Sequence, residues 1–130
     1  MSPRIELNDL PHGENSHSFV GADHGDVPVS FILVHSPPGA GPELHRHPYP
    51  EVFVIQTGQA TFQVGDTEIV GEGGQVVIAP ASTWHGFRNT GSGELRLAAI
   101  HPAASFTTEW LGQPDPSWAS RPDAGEAQRP

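Results

Sequence analysis

The 130-residue chain contains no cysteine and no lysine. Without cysteine, disulfides, thiolate metal sites, iron–sulfur clusters and a cysteine nucleophile are excluded. Without lysine, a Schiff-base lysine and a phosphate-loop lysine are excluded as well, and all six basic residues are arginine. The net charge is −9, which argues against nucleic acid or an anionic membrane surface as a partner.

Long apolar runs are also missing. The N-terminus has no apolar core of the length found in signal peptides, and no segment is long enough to span a membrane. We therefore expect a cytoplasmic protein. A chain of this length buries about two-thirds of its extended surface, which is enough for one domain with one core.

Turn-forming residues are abundant, with 15 glycines and 14 prolines, and such residues favour many turns over long helices. Short apolar or alternating segments follow one another at a spacing typical of all-β domains. These segments are residues 27–35, 51–57, 59–64, 67–70, 75–79, 84–89 and 94–101. The pattern predicts an all-β fold with little helix, either a small antiparallel β-barrel or a jelly roll.

Two strand pairings are expected from the turns. Gly65 and Asp66 separate residues 59–64 from residues 67–70, which predicts a hairpin. By the same reasoning, residues 84–89 are expected to pair with residues 94–101. Residues 106–111 are compatible with either a short helix or a last strand.

The chain divides into three parts by composition. Residues 1–26 are polar and turn-rich, residues 27–111 form the predicted barrel, and residues 112–130 form a proline-rich tail with few apolar residues. Trp118 is the exception in the tail. It either docks on the barrel or on a second subunit, or it remains exposed.

A cluster of metal-ligating residue types lies in the middle of the chain. His45 and His47 are two residues apart, so in an extended segment both side chains point to the same face. Glu51 follows a Pro-Tyr-Pro corner and begins the next strand. Two imidazoles and a carboxylate are a common donor set for divalent transition metals. His85 is a fourth candidate that folding would have to bring to the other three.

The spacing of these residues resembles two sequence motifs of the cupin superfamily. The first motif is matched by Gly39, His45, His47, Glu51 and Gly58, and the second is matched by Gly74, Pro80, His85 and Asn89. Ser82 stands where the family usually has glycine, which indicates a turn whose φ is open to other residues.

The resemblance implies a small β-barrel that holds one metal ion. The implied ligands are His45, His47, Glu51 and His85, and the implied cofactor is one divalent transition metal ion, with Fe, Mn, Ni, Cu, Co and Zn all open. The chain is similar to small single-barrel cupins, which are often dimers that pair or exchange N-terminal strands. We therefore expect a homodimer in which residues 1–26 supply such an element.

Strand parity indicates which other side chains face the metal. Phe53, Ile55, Phe62 and Phe87 are expected to line an apolar substrate pocket, or else to fill a small barrel. His101 is either a core histidine with a partner or a general acid/base near the metal, and His35 presents the same choice. Tyr49 is either a donor to the ligands or a corner residue.

Two classes of function remain open at this point. The resemblance favours a metal-dependent enzyme of dioxygenase type that acts on an apolar or enolic small molecule, with isomerase, decarboxylase or hydrolase chemistry as alternatives. The other class is a non-catalytic cupin that binds a small ligand as a sensor. A storage role is disfavoured because this chain has a single barrel and keeps all four ligands. An epimerase acting on sugar nucleotides is disfavoured because few basic residues are present to bind a diphosphate.

Overall fold

The computed structural model describes residues 3–112. Ten strands and two short 3₁₀ helices, Leu7–Asp9 and Gly21–His24, form this part of the chain, and no α-helix occurs in it. The strands are β1 (Ser16–Phe19), β2 (Ser30–Ser36), β3 (His45–Arg46), β4 (Glu51–Thr57), β5 (Gln59–Val64), β6 (Thr67–Glu72), β7 (Val76–Ala79), β8 (His85–Asn89), β9 (Leu95–His101) and β10 (Glu109–Trp110).

The strands form two five-stranded antiparallel sheets. The first sheet has the order β1-β2-β9-β4-β7, and the second has the order β10-β3-β8-β5-β6. This arrangement confirms the predicted all-β jelly roll. No helix among residues 3–112 is long and apolar enough to cross a membrane.

Alternation of side chains along each strand builds the core between the two sheets. In β2 every second residue is buried, from Ser30 to Ser36, and in β4 the buried positions include Glu51, Phe53 and Ile55. Because successive side chains of a strand point to opposite faces, one face of each sheet closes the core. The carboxylate of Glu51, a candidate metal ligand, therefore shares its face with core residues.

One predicted hairpin is confirmed and the other is wrong. β5 pairs with β6 over its full length, as expected. β8 and β9 do not pair with each other, because β8 pairs with β3 and β5 whereas β9 pairs with β2 and β4. The connection between them crosses from one sheet to the other, and the Asn89 side-chain amide holds it by donating to the carbonyls of Ser36 and Gly93, each at 2.9 Å.

The first sheet begins earlier in the chain than the predicted barrel boundary at residue 27. β1 pairs antiparallel with β2 of the same chain. Its inward side chains are Ser16 and Ser18, which are almost fully buried, so the strand carries no apolar alternation in the sequence. At the other end, residues 109–110 form a strand rather than a helix. The tail from residue 113 onward, with Trp118, lies outside the described residues.

Candidate metal centre

Four side chains from three strands and one loop converge at one end of the core. His45 lies on β3, Glu51 begins β4, His85 begins β8, and His47 follows β3. Their ligand atoms all lie within 4.8 Å of one another, and each residue is only 2–3% exposed. The pairing of β3 with β8 places His45 directly opposite His85, which explains how a residue forty positions away joins the cluster.

Each of the three imidazoles is oriented by a backbone carbonyl. The Nδ1 atoms of His45, His47 and His85 donate to the carbonyls of Glu43, Thr107 and Thr83, at 2.7, 2.9 and 2.9 Å respectively. Because a carbonyl only accepts, each Nδ1 carries the hydrogen, and each Nε2 of a neutral ring presents a lone pair. A hydrogen bond from the ring nitrogen that does not bind the metal is the usual way in which proteins fix the tautomer of a metal-binding histidine.

The candidate donor atoms of the imidazoles and the carboxylate lie close enough together to bind one cation. Nε2 of His47 and Nε2 of His85 each lie 2.9 Å from Oε1 of Glu51. In the neutral rings, these are lone pairs directed at a buried carboxylate oxygen. A cation at the meeting point of the four atoms would relieve that repulsion, and imidazole and carboxylate are ligands that divalent transition metals accept. The residues therefore fit a bound metal ion.

The protonation states of this cluster suit metal binding. The pKa of His45 is lowered from 6.5 to about 3, mainly by burial and to a smaller extent by His85 and His47, against the opposing effects of Glu51 and of the hydrogen bond to the Glu43 carbonyl. Burial by itself would raise the pKa of Glu51, but the neighbouring His101, above all, holds it well below its usual value. At neutral pH the cluster thus offers a neutral imidazole at His45 and an ionised carboxylate.

His101 and Tyr49 form a second layer behind Glu51. Nε2 of His101 lies 3.1 Å from Oε2 of Glu51, although the angle lies outside hydrogen-bond geometry and this buried Nε2 has no other partner. The Tyr49 hydroxyl lies 2.8 Å from Nδ1 of His101 and accepts the backbone N–H of Thr107 at 3.2 Å. Because that oxygen already accepts one hydrogen, its own hydrogen is free to point to Nδ1 of His101.

The two oxygens of Glu51 contact different residues. Oε1 faces His47 and His85, whereas Oε2 faces His101. Burial raises the pKa of Tyr49 to about 12, so its hydroxyl keeps its hydrogen at neutral pH. A His101 ring that accepts the Tyr49 hydrogen at Nδ1 carries its own hydrogen on Nε2, the atom that faces the carboxylate.

Residues 102–111, here called the C-terminal strap, close this end of the barrel. The Phe106 ring packs against His101 with centroids 4.7 Å apart, and the Trp110 ring packs against His45 at 4.8 Å. Between them, Thr107 contacts His47 and Tyr49 through its backbone. None of these strap residues is indicated by the sequence motifs, since backbone contacts leave no residue-specific signal and the ring contacts are long-range.

The aromatic side chains expected around a substrate pocket lie in the hydrophobic core. Phe53, Ile55, Phe62 and Phe87 are each 1–6% exposed and belong to one continuous apolar cluster. The three rings pack against each other with centroids 5.0–5.8 Å apart. They fill the barrel interior beside the candidate ligands, and only Phe87 also borders a surface cavity, of about 220 Å³, on the second sheet.

His35 is not brought to the metal centre. It lies on the outer face of β2, because the inward positions of that strand are the alternate ones. Its ring is 5.2 Å from the ring of His17, and its Nε2 lies 3.3 Å from Nδ1 of that residue. His35 is therefore a partner of β1 and not a residue of the site.

A polar surface cavity borders the metal centre. Its volume is about 370 Å³, and it is lined by His47, Ser82, Arg46 and residues of the strap. The Arg46 guanidinium is held there by Glu109 at 2.9 Å and lies 4.3 Å above the Trp84 ring. The His47 side chain is fully buried, so the cavity borders the His47 segment without reaching its imidazole, and the charge of Arg46 in the cavity is paired with Glu109.

The turn before His85 differs from the sequence expectation. Ser82 has a φ of +61°, which lies in the left-handed region that favours glycine. Its backbone N–H donates to the carbonyl of His47 at 2.8 Å, so the turn is tied to a ligand-bearing segment. The turn therefore keeps a left-handed backbone conformation at residue 82, although this residue is serine and not glycine.

Comparison with solved structures identifies relatives of the same fold. An uncharacterized conserved protein from Klebsiella pneumoniae with a double-stranded β-helix domain is 16% identical, with a TM-score of 0.66, over 87% of this chain and 100% of that chain. An oxalate decarboxylase from Lactobacillus farciminis, in a formate complex, is 23% identical, with a TM-score of 0.71, over 82% of this chain and 35% of that chain. An oxalate oxidase in complex with glycolate is 18% identical, with a TM-score of 0.59, over 65% of this chain and 46% of that chain.

These identities are low, so the likeness shows a shared fold. The chain spans about a third of the length of the decarboxylase and less than half of that of the oxidase. No curated protein sequence matches this chain significantly. The family model for the cupin domain, however, matches residues 32–101, which is more than half of the chain and includes all four candidate ligands. This chain is therefore a member of the cupin family.

Proposed function

We propose that this chain is a metal-dependent cupin enzyme of dioxygenase type that acts on a small enolic molecule. The observation that carries the proposal is the donor set, in which three tautomer-fixed imidazoles and one ionised carboxylate meet within 4.8 Å. A bound divalent transition metal would supply Lewis acidity, or redox chemistry if it is a redox-active ion, at the positions left open by four ligands.

The surroundings of the centre favour a small, oxygen-rich substrate over a large apolar one. Phe53, Phe62 and Phe87 occupy the barrel interior, so little room remains there for an apolar group. The surface cavity beside the His47 segment is lined by Pro48, by the hydroxyl residues Ser82, Thr107 and Thr108, and by the ion-paired Arg46 and Glu109. Hydroxyl groups can form hydrogen bonds with the oxygen atoms of a small substrate. Two related structures are named for oxalate enzymes, whose named substrate is likewise small and oxygen-rich.

Within this proposal, His101 and Tyr49 act through the carboxylate of Glu51, behind which they lie. Tyr49 orients the His101 ring through Nδ1, so that the Nε2 hydrogen faces Glu51 Oε2. That hydrogen would stabilise negative charge on the carboxylate's second oxygen. The role proposed for His101 is to hold a proton at Nε2, and the role proposed for Tyr49 is to orient that ring.

A second candidate function is non-catalytic binding of metal or of a small ligand. The observation that favours it is enclosure: the four ligands are 2–3% exposed, and the strap covers His45 and His47. In this case the barrel would act as a sensor that binds its ligand without changing it.

One experiment separates these functions. Tag-free chain is purified, its metal content is measured by elemental mass spectrometry, and separate samples are loaded with Fe(II), Mn(II), Ni(II), Cu(II), Co(II) and Zn(II). Each sample is mixed with a panel of small enolic and 2-hydroxy carboxylic acids while oxygen uptake and products are followed. A dioxygenase adds both atoms of O₂ to the substrate without a separate reductant, so oxygen and substrate must disappear in equal molar amounts.

The control is Glu51→Gln, which keeps the volume of the side chain but removes its charge. Uptake of oxygen that depends on metal and substrate, and is lost in this variant, supports the proposal. Conversion of substrate without oxygen uptake would instead indicate an isomerase, a decarboxylase or a hydrolase. Binding of a panel member, measured by calorimetry, with the compound recovered unchanged would indicate a sensor.

A further inference from the structure

Three histidines outside the metal centre form a row on the outer side of the first sheet. His17 on β1 and His35 on β2 occupy the outward positions of their strands, and His12 is joined to His17 by an isolated antiparallel bridge. The ring centroids of His12 and His17 are 5.0 Å apart, and those of His17 and His35 are 5.2 Å apart. We call these three residues the outer histidine row.

Two of these rings have their tautomer fixed by a neighbouring oxygen atom. Nδ1 of His12 donates to the carbonyl of Leu10 at 2.8 Å, and Nε2 of His17 donates to the side-chain oxygen of Asn8 at 2.9 Å. In the neutral rings, the lone pairs therefore lie on Nε2 of His12 and on Nδ1 of His17. The histidines of the buried centre are oriented in the same way, and such contacts are usual for histidines that bind metal.

The nitrogens of His17 and His35 that face each other have the separation of two ligands on one metal ion. Nδ1 of His17 lies 3.3 Å from Nε2 of His35. A tetrahedral zinc ion that binds two nitrogens at about 2.0–2.1 Å holds them roughly 3.3–3.4 Å apart. In the metal-free pair, one hydrogen lies between the two nitrogens. A cation can replace this hydrogen by a rotation of the two rings, with the separation of the nitrogens unchanged.

We propose that the outer histidine row is a second metal site, which binds a zinc ion through Nδ1 of His17 and Nε2 of His35. His12 is exposed, so its ring can turn Nε2 toward the same ion as a third ligand, and water completes the tetrahedron. This site is separate from the metal centre, because His35 lies on the face of β2 that points away from the core.

The charges around the outer histidine row are compatible with a cation. Arg96 on β9 lies opposite His35 in the strand register, but its guanidinium forms an ion pair with Glu94 at 2.8 Å. Glu6 lines the same surface cavity as His17, which brings a carboxylate to the other side of the row. The net charge of −9 also attracts divalent cations to the chain as a whole.

A zinc ion at this place joins three segments of the chain. His12 precedes β1, His17 lies on β1, and His35 lies on β2. β1 is an edge strand of the first sheet and pairs with β2 over only four residues. The ion therefore holds the N-terminal segment against β2, at a distance from the C-terminal strap that covers the metal centre.

The first test is a calorimetric titration of metal-free, tag-free chain with Zn(II). Two sites per chain are expected, and the outer one should be the weaker because it has fewer protein ligands and is open to water. Dialysis against metal-free buffer should empty it, so that the metal content of dialysed protein reports the buried centre alone. His17→Gln and His35→Gln should each abolish the weaker site and keep the tight one, and His12→Gln should weaken the outer site by about tenfold or more.

His24→Gln is the matched control. His24 also lies outside the metal centre, but its ring stacks on Phe19, with centroids 4.7 Å apart, and it should bind two zinc ions as the wild type does. A titration without a saturable second site would overturn the proposal, and so would a second site that survives both His17→Gln and His35→Gln.

The variant His45→Ala, His85→Ala separates this proposal from the assignment of the buried centre. It should lose the tight site and keep the weaker one. Loss of both sites would show that the second zinc ion depends on the buried centre and would contradict an independent outer site.

Hydrogen exchange followed by mass spectrometry gives a second test that does not depend on stoichiometry. Filling of the weaker site should slow the exchange of backbone amides in residues 12–19 of the wild type, because the ion ties β1 to β2. The same zinc concentration should leave these amides unchanged in His35→Gln, whose circular dichroism checks the fold. Equal exchange of residues 12–19 in wild type with and without zinc would contradict the proposal.

Discussion

The hydroxyl of Tyr49 lies 2.8 Å from Nδ1 of His101, and the opposite nitrogen of the same ring faces Glu51 Oε2 at 3.1 Å. Tyr49 and Glu51 are two residues apart in sequence, and His101, which follows Tyr49 by 52 residues, lies between their side chains. The contact with His101 restricts the position of the Glu51 carboxylate. Metal affinity should therefore depend on a residue that is not itself a ligand.

Tyr49→Phe is expected to weaken metal binding by about tenfold, the size typical of changes behind metal ligands. The substitution removes one hydroxyl and keeps the ring stacked on His47, 5.2 Å between centroids. Competition with a chelator of known affinity measures the effect. Thr61→Val, which removes an exposed hydroxyl from the second sheet, is the control. An unchanged dissociation constant in Tyr49→Phe would show that Tyr49 only packs in the corner.

His85→Ala should abolish stoichiometric metal binding while the barrel still folds. The substitution removes one of four ligands and the lone pair opposite Glu51 Oε1. Elemental mass spectrometry on tag-free protein measures the loss, and circular dichroism checks the fold. His24→Ala, a histidine stacked on Phe19 outside the centre, should keep full metal content. Full occupancy in a His45→Ala, His85→Ala double variant would show that the ligands are elsewhere.

The metal-free protein should lose stability as the pH falls below about 6.5. The pKa of His45 is lowered from 6.5 to about 3, so between these values the unfolded chain binds a proton that the folded chain does not. Stability therefore rises with pH across this window, by about 1.4 kcal/mol per pH unit for one proton, and the effect is complete above pH 6.5. Glu51, whose pKa is also lowered, adds a loss of the same sign below its usual value of 4.5.

Urea unfolding of metal-free protein at a series of pH values measures this slope. Between pH 5 and 6.5, Glu51 is ionised in both states, so replacing His45 isolates the contribution of its imidazole. His45→Gln should lower the slope by about one proton, whereas His24→Gln should leave it unchanged. Parallel curves for wild type and His45→Gln would contradict a buried neutral His45.

Ser82→Gly should stabilise the protein by about 0.5–1 kcal/mol. The φ of +61° at this position costs energy for any residue with a Cβ, and the serine is exposed, so little is lost with its side chain. Thermal unfolding of the two proteins measures the gain. Ser82→Ala, which keeps the Cβ and removes only the hydroxyl, should show no gain. Stabilisation by both substitutions would indicate that the hydroxyl, and not the φ, is unfavourable.

Much of the fold follows from alternation in the sequence. The predicted bounds of β4 and β5 agree with the structure, because residues 52–55 of β4 form a continuous apolar run and apolar residues recur at every second position of β5. β1 was missed because its inward residues are Ser16 and Ser18, which bury without leaving an apolar pattern. Alternation along a strand indicates which side of the sheet a residue faces, but it does not indicate which strand pairs with its own. The predicted pairing of β8 with β9 is wrong for this reason.

The metal centre is partly visible in the sequence for a related reason. His45, His47 and Glu51 are close in the chain and their spacing is informative, and His85 is found through the family motif. The neighbourhood of the centre depends on long-range contacts instead. His101 was singled out by parity, but its contact with Glu51 depends on β9 pairing with β4, and the strap contacts through Thr107 depend on a backbone carbonyl.

The contact between the Thr107 carbonyl and His47 makes the C-terminal strap and the metal centre thermodynamically linked. When the strap detaches, His47 loses the acceptor that fixes its tautomer, so the detached form binds metal more weakly. Because coupling between two equilibria is reciprocal, metal loading must hold the strap in place by the same free energy. Backbone amides of residues 106–111 will therefore exchange with deuterated water more slowly in metal-loaded protein. A molecule that binds to the strap would accordingly bind the metal-loaded and metal-free forms with different affinities.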